Sequence, residues 1–243
     1  ADVPVYAHLS MILGDDGQKL SKRHGAVSVM DYPARGYLRD AVLNYLARLG
    51  WSHGDDEVFS MEQFCQWFDL DHITPSAAQF NTEKLNWLNH EYLKKTAPAA
   101  LATLLAPFLV ERGIDPSAGP QVARVAELLR DRTPTLVDMA DAARYFYLPP
   151  TANPGLLAEH LVDAARPALA ELRETLAATN WAKAEISAAI KACVAKHGVK
   201  MPQLMMPLRV LLTGQTQTPA IDAIMDVLGR DQTLARLKNG LSS

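Results

Sequence analysis

From Tyr37 almost to the end of the chain, apolar residues recur every three or four positions, and this period constrains the fold more than any other feature. It is the period of an amphipathic α-helix, whose apolar stripe packs against a core. Glycines and prolines that end helices separate the periodic segments, as at Gly50, Gly113, Pro149 and Gly198. The sequence therefore predicts a mainly α protein with about nine helices.

Several helix boundaries are marked by local signals. Ser60 and Gln63 stand at the S-x-x-Q spacing of a capping box, Asn81 is a second candidate cap, and Pro98 suits a first helical position. Further on, the apolar residues from Leu157 to Leu169 predict one long helix. We expect Pro167 to kink or divide it, because proline removes a backbone donor inside a helix.

The residues before Tyr37 follow a different pattern. A short apolar run from Tyr6 to Leu13 is closed by Gly14-Asp15-Asp16-Gly17, which is typical of a strand leading into a loop. The loop then continues through the basic stretch Lys19-Leu20-Ser21-Lys22-Arg23.

Composition limits the classes of function. The 243 residues are 49% hydrophobic and carry a net charge of -3, which suits a globular protein rather than a sequence-blind nucleic-acid binder. A local basic patch for one folded nucleic acid remains compatible with this charge. Cys65 and Cys193 lack partners at zinc-ligand spacing and are expected to be reduced thiols in the core. No apolar run reaches membrane-span length and no secretion signal is present, so we expect a cytoplasmic protein without a membrane partner.

The basic stretch from Lys19 to Arg23 permits two interpretations. A loop that bears lysines and a serine between glycines can close over a polyphosphate, since lysine donates charge-assisted hydrogen bonds to phosphate oxygens. The alternative is a solvated basic turn. The spacing of a P-loop, G-x-x-x-x-G-K-[ST], is absent from this stretch.

Five blocks of sequence, in order, resemble bacterial glutamyl-tRNA synthetases. They are HLSMILGDDGQKLSKRHGAVSV, AVLNYLARLGWS, FDLDHITPSAAQFNTEKLNWLNHEYL, MPLRVLLTGQ and LGRDQTLARL. The first contains KLSKR, which resembles the KMSKS signature of class I aminoacyl-tRNA synthetases. The likeness extends from Val3 to Leu237, and several blocks in the family's order are more specific than KLSKR alone.

The resemblance implies that the chain corresponds to the C-terminal half of such an enzyme. The implied fold is mainly α, with a short strand and loop remnant of a Rossmann-type catalytic domain at the N-terminus. Residues 1–25 would end that catalytic domain and carry the KMSKS loop, and residues 26–95 would form a helical stem-contact domain. Residues 96–177 and 178–243 would form the two parts of an all-helical anticodon-binding cage.

The resemblance also implies roles for the basic loop. Lys19, Leu20, Ser21, Lys22 and Arg23 would contact ATP, and Lys22 would be the catalytic residue that assists adenylate formation at the α-phosphate. ATP and Mg²⁺ are the implied cofactors of the whole enzyme, without a metal site built from this chain's own residues. No H-I-G-H stretch occurs in the sequence, so the 243-residue chain is expected to be inactive alone.

Within residues 26–95, individual basic residues are candidates for contact with the phosphate backbone of a tRNA. Phosphate contacts position a nucleic acid without reading its sequence, and a solvated helix face is the alternative for each residue. The candidates are Arg35, Arg39, Arg48, Lys84, Lys94 and Lys95. Trp51 and Trp87 are predicted to lie in the core, as aromatic residues at helical spacing usually do.

Arg130 and Arg132, in LLRDRTPTL, resemble the stretch with which the family reads the third anticodon base. The planar guanidinium suits this task because it matches base-edge acceptors and also stacks. A helix-end salt bridge is the alternative for either residue. Phe146 is predicted to pack under the Pro149-Pro150 turn, and Arg209 is predicted to have a structural role.

The function implied for the whole enzyme is activation of glutamate with ATP and its transfer to the 3′ end of a tRNA. The implied partners are the glutamate tRNA and, in enzymes that discriminate less, the glutamine tRNA, with a monomer expected. The alternative is a free-standing tRNA-binding or helical scaffold module without ligase activity.

Overall fold

The computed structural model describes residues 3–14, 16–21, 28–151 and 154–241. Within these ranges, twelve α-helices and one pair of two-residue strands form. This confirms the prediction of a mainly α fold, although the sequence pattern predicted only about nine helices. The helices are α1 Arg39–Arg48, α2 Met61–Trp67, α3 Thr82–Lys95, α4 Pro98–Glu111, α5 Val122–Leu129, α6 Leu136–Tyr147, α7 Pro154–His160, α8 Arg166–Ala178, α9 Lys183–His197, α10 Met201–Thr213, α11 Ile221–Leu228 and α12 Arg230–Leu241. The strands are β1 Ile12–Leu13 and β2 Ala78–Gln79.

The strand predicted from Tyr6 to Leu13 is much shorter in the structure. Only β1 is in ladder geometry, and it pairs in parallel with β2, so that Ile12 lies opposite Ala78 and Leu13 opposite Gln79. The preceding residues Val3, Val5 and Tyr6 are exposed rather than paired. The backbone groups of a strand need hydrogen-bond partners on a neighbouring strand. The sequence pattern alone does not reveal how many residues of such a neighbouring strand are present.

The chain divides into two compact units. Unit 1 comprises Ala1–Ala97 together with Arg130–Met139, and unit 2 comprises Pro98–Leu129 together with Ala140–Ser243. The predicted boundaries after residues 25, 95 and 177 separate regions by their function, whereas these two units are defined by compactness alone. The predicted boundaries therefore stay a prediction.

Unit 1 is organised around the packing of α1 against α3. Tyr45 of α1 and Leu49, the residue directly after α1, meet Leu85 and Leu88 of α3 in one buried cluster. The two helices start differently. The Asn81 side chain accepts from Lys84 N to cap α3, whereas Leu38 precedes α1 without a side-chain cap. The predicted capping box forms at the start of α2, where Ser60 and Gln63 bond to each other's backbone N–H groups.

Unit 2 consists of helices packed in pairs, with α4 against α5, α8 against both α9 and α12, and α10 against α7. The long helix predicted across Pro167 is divided. Its first part is α7, a short 3₁₀ turn covers Asp163–Ala165, and α8 starts at Arg166. Pro167 therefore lies in the first turn of α8. The backbone N–H groups of the first turn have no partner within the helix, so the missing N–H of a proline breaks no helical hydrogen bond there.

Candidate nucleic-acid interface

The basic loop starts at Lys19, directly after a tight turn that follows β1. Gly14 N donates to Gln18 O at 2.8 Å, and Leu20 N donates to Ile12 O at 2.9 Å. Gly17 adopts a φ of 75°, a conformation that favours glycine, at the tip of this turn. Leu13 and Lys19 consequently face each other across an antiparallel bridge. The turn therefore fixes the backbone at the start of the KLSKR segment.

The structure describes three of the five residues predicted to contact ATP. Lys19 is exposed, while Leu20 and Ser21 are half-buried. Lys22, the predicted catalytic residue, and Arg23 lie outside the described residues. The predicted roles of all five stay predictions.

The two candidate anticodon-reading arginines stand in the turn that follows α5, in different surroundings. Arg130 is half-buried, and its Nη1 donates to Thr96 O at 3.3 Å, at the C-terminal end of α3. Arg132 is exposed, and its guanidinium makes no hydrogen bond or ion pair with any residue that the structure describes. Arg130 thus bonds to a backbone carbonyl at a helix end and not to a carboxylate of the described residues, whereas Arg132 presents its donors to solvent.

The backbone of this turn is held by residues of unit 1. Asn89 Nδ2 donates to Pro134 O at 2.6 Å, and Leu136 N donates to Gly36 O at 2.9 Å. Thr135 caps α6 through its hydroxyl, which accepts from Asp138 N and donates to Asp138 Oδ2. The turn that bears Arg132 is therefore fixed along its C-terminal side.

Asn89 and Gly36 were not anticipated from the sequence. Asn89 occupies an inward position of α3 and is fully buried, and a polar residue in an apolar stripe was the signal that could have identified it. Gly36 carried no such signal, because its contacts come from residues far away in sequence.

The six candidate phosphate-contacting cations fall into two groups. Lys84 and Arg48 approach the same carboxylate, with Lys84 Nζ 2.7 Å and Arg48 Nη2 3.8 Å from Glu57 Oε1, and Lys94 pairs with Glu91. The other three, Arg35, Arg39 and Lys95, are exposed and have no ion pair within the described ranges. Positive charge is thus most available at these last three positions.

The two tryptophans predicted to lie in the core differ. Trp51 is 3% exposed and packs edge-on against Phe59 and Phe64, which confirms the prediction. The prediction for Trp87 was wrong, since 38% of this residue is exposed and Lys84 Nζ lies 4.0 Å above its ring centroid. Helical spacing does not distinguish a core aromatic residue from one that covers a lysine at the surface.

Aromatic residues at the end of α6 are largely enclosed. Phe146 is 2% exposed and Tyr145 is also buried. Burial of Phe146 agrees with the prediction, and its packing under the Pro149-Pro150 turn stays a prediction. Tyr147 is half-buried, its hydroxyl donates to Pro120 O at 3.1 Å, and burial raises its pKa to about 12.

Arg209 joins α10 to the segment before α11. Its Nη1 donates to Thr218 O at 2.9 Å and to Thr218 Oγ1 at 2.7 Å. This half-buried arrangement agrees with the structural role predicted for Arg209.

Cys193 is buried as predicted, whereas the prediction of a core position for Cys65 was wrong, since this residue is exposed. No group of three or more histidine, cysteine, aspartate or glutamate side chains in the described parts of the chain could hold a metal ion. None of the described helices combines the length and apolar character needed to cross a membrane.

Comparison with known families accounts for most of the chain. Residues 100–241 match the family described as "Anticodon binding domain". Residues 1–87 match the family described as "tRNA synthetases class I (E and Q), catalytic domain". The exposed Arg132 and its anchored turn therefore fall within the anticodon-binding match.

Relatives point to the same family. The glutamate–tRNA ligase of Azoarcus sp. (strain BH72) is 61% identical over 241 residues, which cover 99% of this chain and 52% of the relative. That of Dechloromonas aromatica (strain RCB) is 61% identical over 237 residues, 98% of this chain and 51% of the relative. A crystal structure of a glutamate tRNA ligase from Elizabethkingia meningosepticum superposes with a TM-score of 0.87 at 26% identity, covering 100% of this chain and 52% of that one.

The chain thus spans about half the length of the curated relatives it matches. The matched half includes a helical domain of the kind that binds anticodons and part of a class I catalytic domain. On these grounds the chain belongs to the glutamate–tRNA ligase family of class I aminoacyl-tRNA synthetases and carries its helical anticodon-binding domain.

Proposed function

We propose that this chain is the part of a glutamate–tRNA ligase that recognises the glutamate tRNA, with Arg132 contacting an anticodon base. The whole enzyme would work in the cytoplasm, activate glutamate with ATP and esterify the 3′ end of the tRNA. The observation that carries the proposal is the exposed, unengaged guanidinium of Arg132 on an anchored turn inside the anticodon-binding match.

The chemistry of Arg132 supports a base contact rather than a phosphate contact alone. A guanidinium presents donors in a planar fork, which matches paired acceptors on a base edge and also stacks on a splayed base. Because Arg130 already donates to Thr96 O, its fork is partly used, and we assign it a supporting role. Arg132 is therefore the preferred candidate of the two.

Stem contacts are proposed for the three cations of unit 1 that have no ion pair among the described residues. Arg35, Arg39 and Lys95 would contact phosphates, which fixes the position of a nucleic acid without reading its sequence. Arg48, Lys84 and Lys94 each have a carboxylate within reach, so a phosphate would compete with that carboxylate. We expect tRNA affinity to fall as salt rises, because these contacts release counterions.

The basic loop is proposed to act on ATP in the whole enzyme. Lys19, Leu20, Ser21, Lys22 and Arg23 would line the triphosphate, and Lys22 would stabilise negative charge that develops as pyrophosphate leaves. Mg²⁺ prefers oxygen ligands and is commonly held by substrate phosphates with one or two carboxylates. With no metal-binding cluster among the residues that the structure describes, Mg²⁺ would enter with ATP rather than occupy a site of this chain.

The proposal is tested by measuring how tightly the 243-residue chain binds a fluorescent glutamate tRNA transcript. Arg132→Ala is expected to weaken binding by about 10-fold, as the loss of one good base contact would. Lys191→Ala, which removes one positive charge from an exposed position on α9, is the matched control and is expected to change affinity little. Equal affinities for the Arg132→Ala and wild-type chains would refute the assignment of Arg132.

A further inference from the structure

The turn that bears Arg132 lies inside the anticodon-binding match, but it clusters with unit 1 rather than with the rest of that domain. We infer that Asn89 is a positioning residue for Arg132, because its buried amide fixes the turn from which that arginine projects. The inference rests on the proposed function of Arg132 and adds a residue from outside the matched range 100–241.

Asn89 uses both ends of its amide. Its Oδ1 accepts from Leu38 N at 2.8 Å, at the start of α1, and its Nδ2 donates to Pro134 O at 2.6 Å. The orientation of the amide follows from these partners, since a backbone N–H requires the oxygen and a carbonyl requires the nitrogen. With 0% of the residue exposed, neither bond competes with water. Asn89 therefore ties the segment before α1 to the turn before α6.

The second anchor of the turn lies beside the first. Gly36 O accepts from Leu136 N, one of the first N–H groups of α6, which have no partner within the helix. Gly36 and Leu38 belong to one short segment, so Asn89 and Gly36 together hold the turn against the same piece of backbone.

On the other side of Arg132, Arg130 donates to Thr96 O at the end of the same helix that carries Asn89. Both flanks of Arg132 are thus bonded to α3 or its cap, whereas its own side chain remains exposed. An arginine side chain has many rotamers. Because the backbone of the turn is fixed, the guanidinium of Arg132 samples a smaller volume. Base readout requires placement within about 0.5 Å, which a fixed backbone supports.

A purely structural role for Asn89 predicts a different outcome from a positioning role. If Asn89 only stabilises the fold, its loss lowers affinity for every tRNA by the same factor. If it positions Arg132, its loss reduces the preference for the correct anticodon base. The ratio of two dissociation constants, for tRNAs that differ at one anticodon base, separates these roles.

The experiment measures this ratio with the full 243-residue chain and two glutamate tRNA transcripts that differ only at the third anticodon base. Asn89→Asp is nearly isosteric and keeps the oxygen that accepts from Leu38 N. It replaces the Nδ2 donor with an oxygen, which repels Pro134 O. Asn89→Ala removes both bonds without that repulsion and serves if the aspartate variant does not fold. Asn86→Ala is the matched control, since Asn86 lies on the same helix and bonds to Tyr37 Oη instead of the turn. Arg132→Ala reports on the proposed function itself, and circular dichroism verifies folding of each variant.

We expect the wild-type chain and Asn86→Ala to prefer the correct base by about 10-fold. Arg132→Ala should lose this preference, and the folded Asn89 variant should come within about 2-fold of Arg132→Ala. A folded Asn89 variant that keeps the wild-type ratio, while Arg132→Ala loses it, overturns the positioning role alone. Retention of the ratio by Arg132→Ala overturns the proposed function of Arg132 and the inference with it.

Discussion

Gly36 and Leu136 are joined by a backbone hydrogen bond of 2.9 Å, and the structure leaves no space for a side chain beside it. Gly36 adopts a φ of 82°, and a Cβ built there would lie 2.5 Å from Val137 N. Both the left-handed backbone and the close approach require glycine. The first turn of α6 is thus held at a position that accepts no other residue without rearrangement.

Gly36→Ala is expected to lower the free energy of unfolding by about 3 kcal/mol, because backbone strain and steric overlap add. Chemical denaturation of the two chains measures the difference. Gly54→Ala is the control, since Gly54 also has a positive φ, of 52°, but nothing within 4 Å of its Cβ position. It should cost only about 1 kcal/mol, and equal costs for the two variants would contradict the close approach at Gly36.

The hydroxyl of Tyr92 is predicted to ionise late. It lies 2.8 Å from Asn44 Oδ1 and 2.5 Å from Phe59 O, and burial, with a further contribution from Asp40, raises its pKa to about 12. The folded state therefore favours the protonated phenol. This contribution to stability is fully present below the ordinary pKa of 10.0 and is lost as pH rises through about 12.

Absorbance of tyrosinate as a function of pH tests this point. The folded chain, with 7 tyrosines, should show a late phase that disappears in denaturant, where tyrosines titrate at about pH 10. Tyr92→Phe should remove part of the late phase, and Tyr147, whose pKa burial also raises to about 12, should account for another part. An unchanged late phase in Tyr92→Phe would show that the phenol is more accessible than the structure indicates.

Glu171 on α8 bridges two basic residues of α9. Its Oε1 lies 2.6 Å from Lys196 Nζ and its Oε2 lies 3.0 Å from His197 Nε2. The hydrogen bond from Lys196, followed by that from His197, holds the pKa of Glu171 below its ordinary value of 4.5. A lowered carboxyl pKa stabilises the fold above pH 4.5, and this contribution is lost as pH falls through the lowered value.

Glu171→Gln should therefore lower the melting temperature slightly at neutral pH and have no effect in acid strong enough to protonate Glu171. Thermal unfolding followed by circular dichroism at both conditions measures this. Glu174→Gln, at an exposed position on the same helix, is the control and should have little effect at either pH. A deficit for Glu171→Gln that persists unchanged in acid would argue against the charged bridge.

The isolated chain is predicted not to catalyse glutamate-dependent exchange between ATP and pyrophosphate. It spans 52% of the Azoarcus relative, and its match to the catalytic domain is confined to residues 1–87. A full-length glutamate–tRNA ligase assayed in parallel provides the positive control. Exchange by the chain above the background without protein would show that the active site is complete within these residues.

Local signals in the sequence predicted the helices well. Ser60 and Asn81 cap α2 and α3, and Pro98 begins α4, as their chemistry indicated. The two caps join residues only three positions apart. Such features depend on near neighbours, which the sequence displays directly.

Features that depend on distant neighbours were not predicted. Trp87 matches the apolar stripe of α3 but lies under Lys84 at the surface, and the strand from Tyr6 shortens where no partner strand is present in the described residues. The contacts of Gly36 and Asn89 with residues 134–137 arise only when the chain is folded. The resemblance located Arg130 and Arg132, but the structure was needed to distinguish the engaged arginine from the exposed one.

We propose that this chain reads the anticodon of the glutamate tRNA. The most direct test compares the dissociation constants of the wild-type chain for that tRNA and for the same tRNA with its third anticodon base changed, at one salt concentration. We expect a preference of about 10-fold for the unchanged tRNA. Equal affinity for the two transcripts would contradict anticodon reading by this chain.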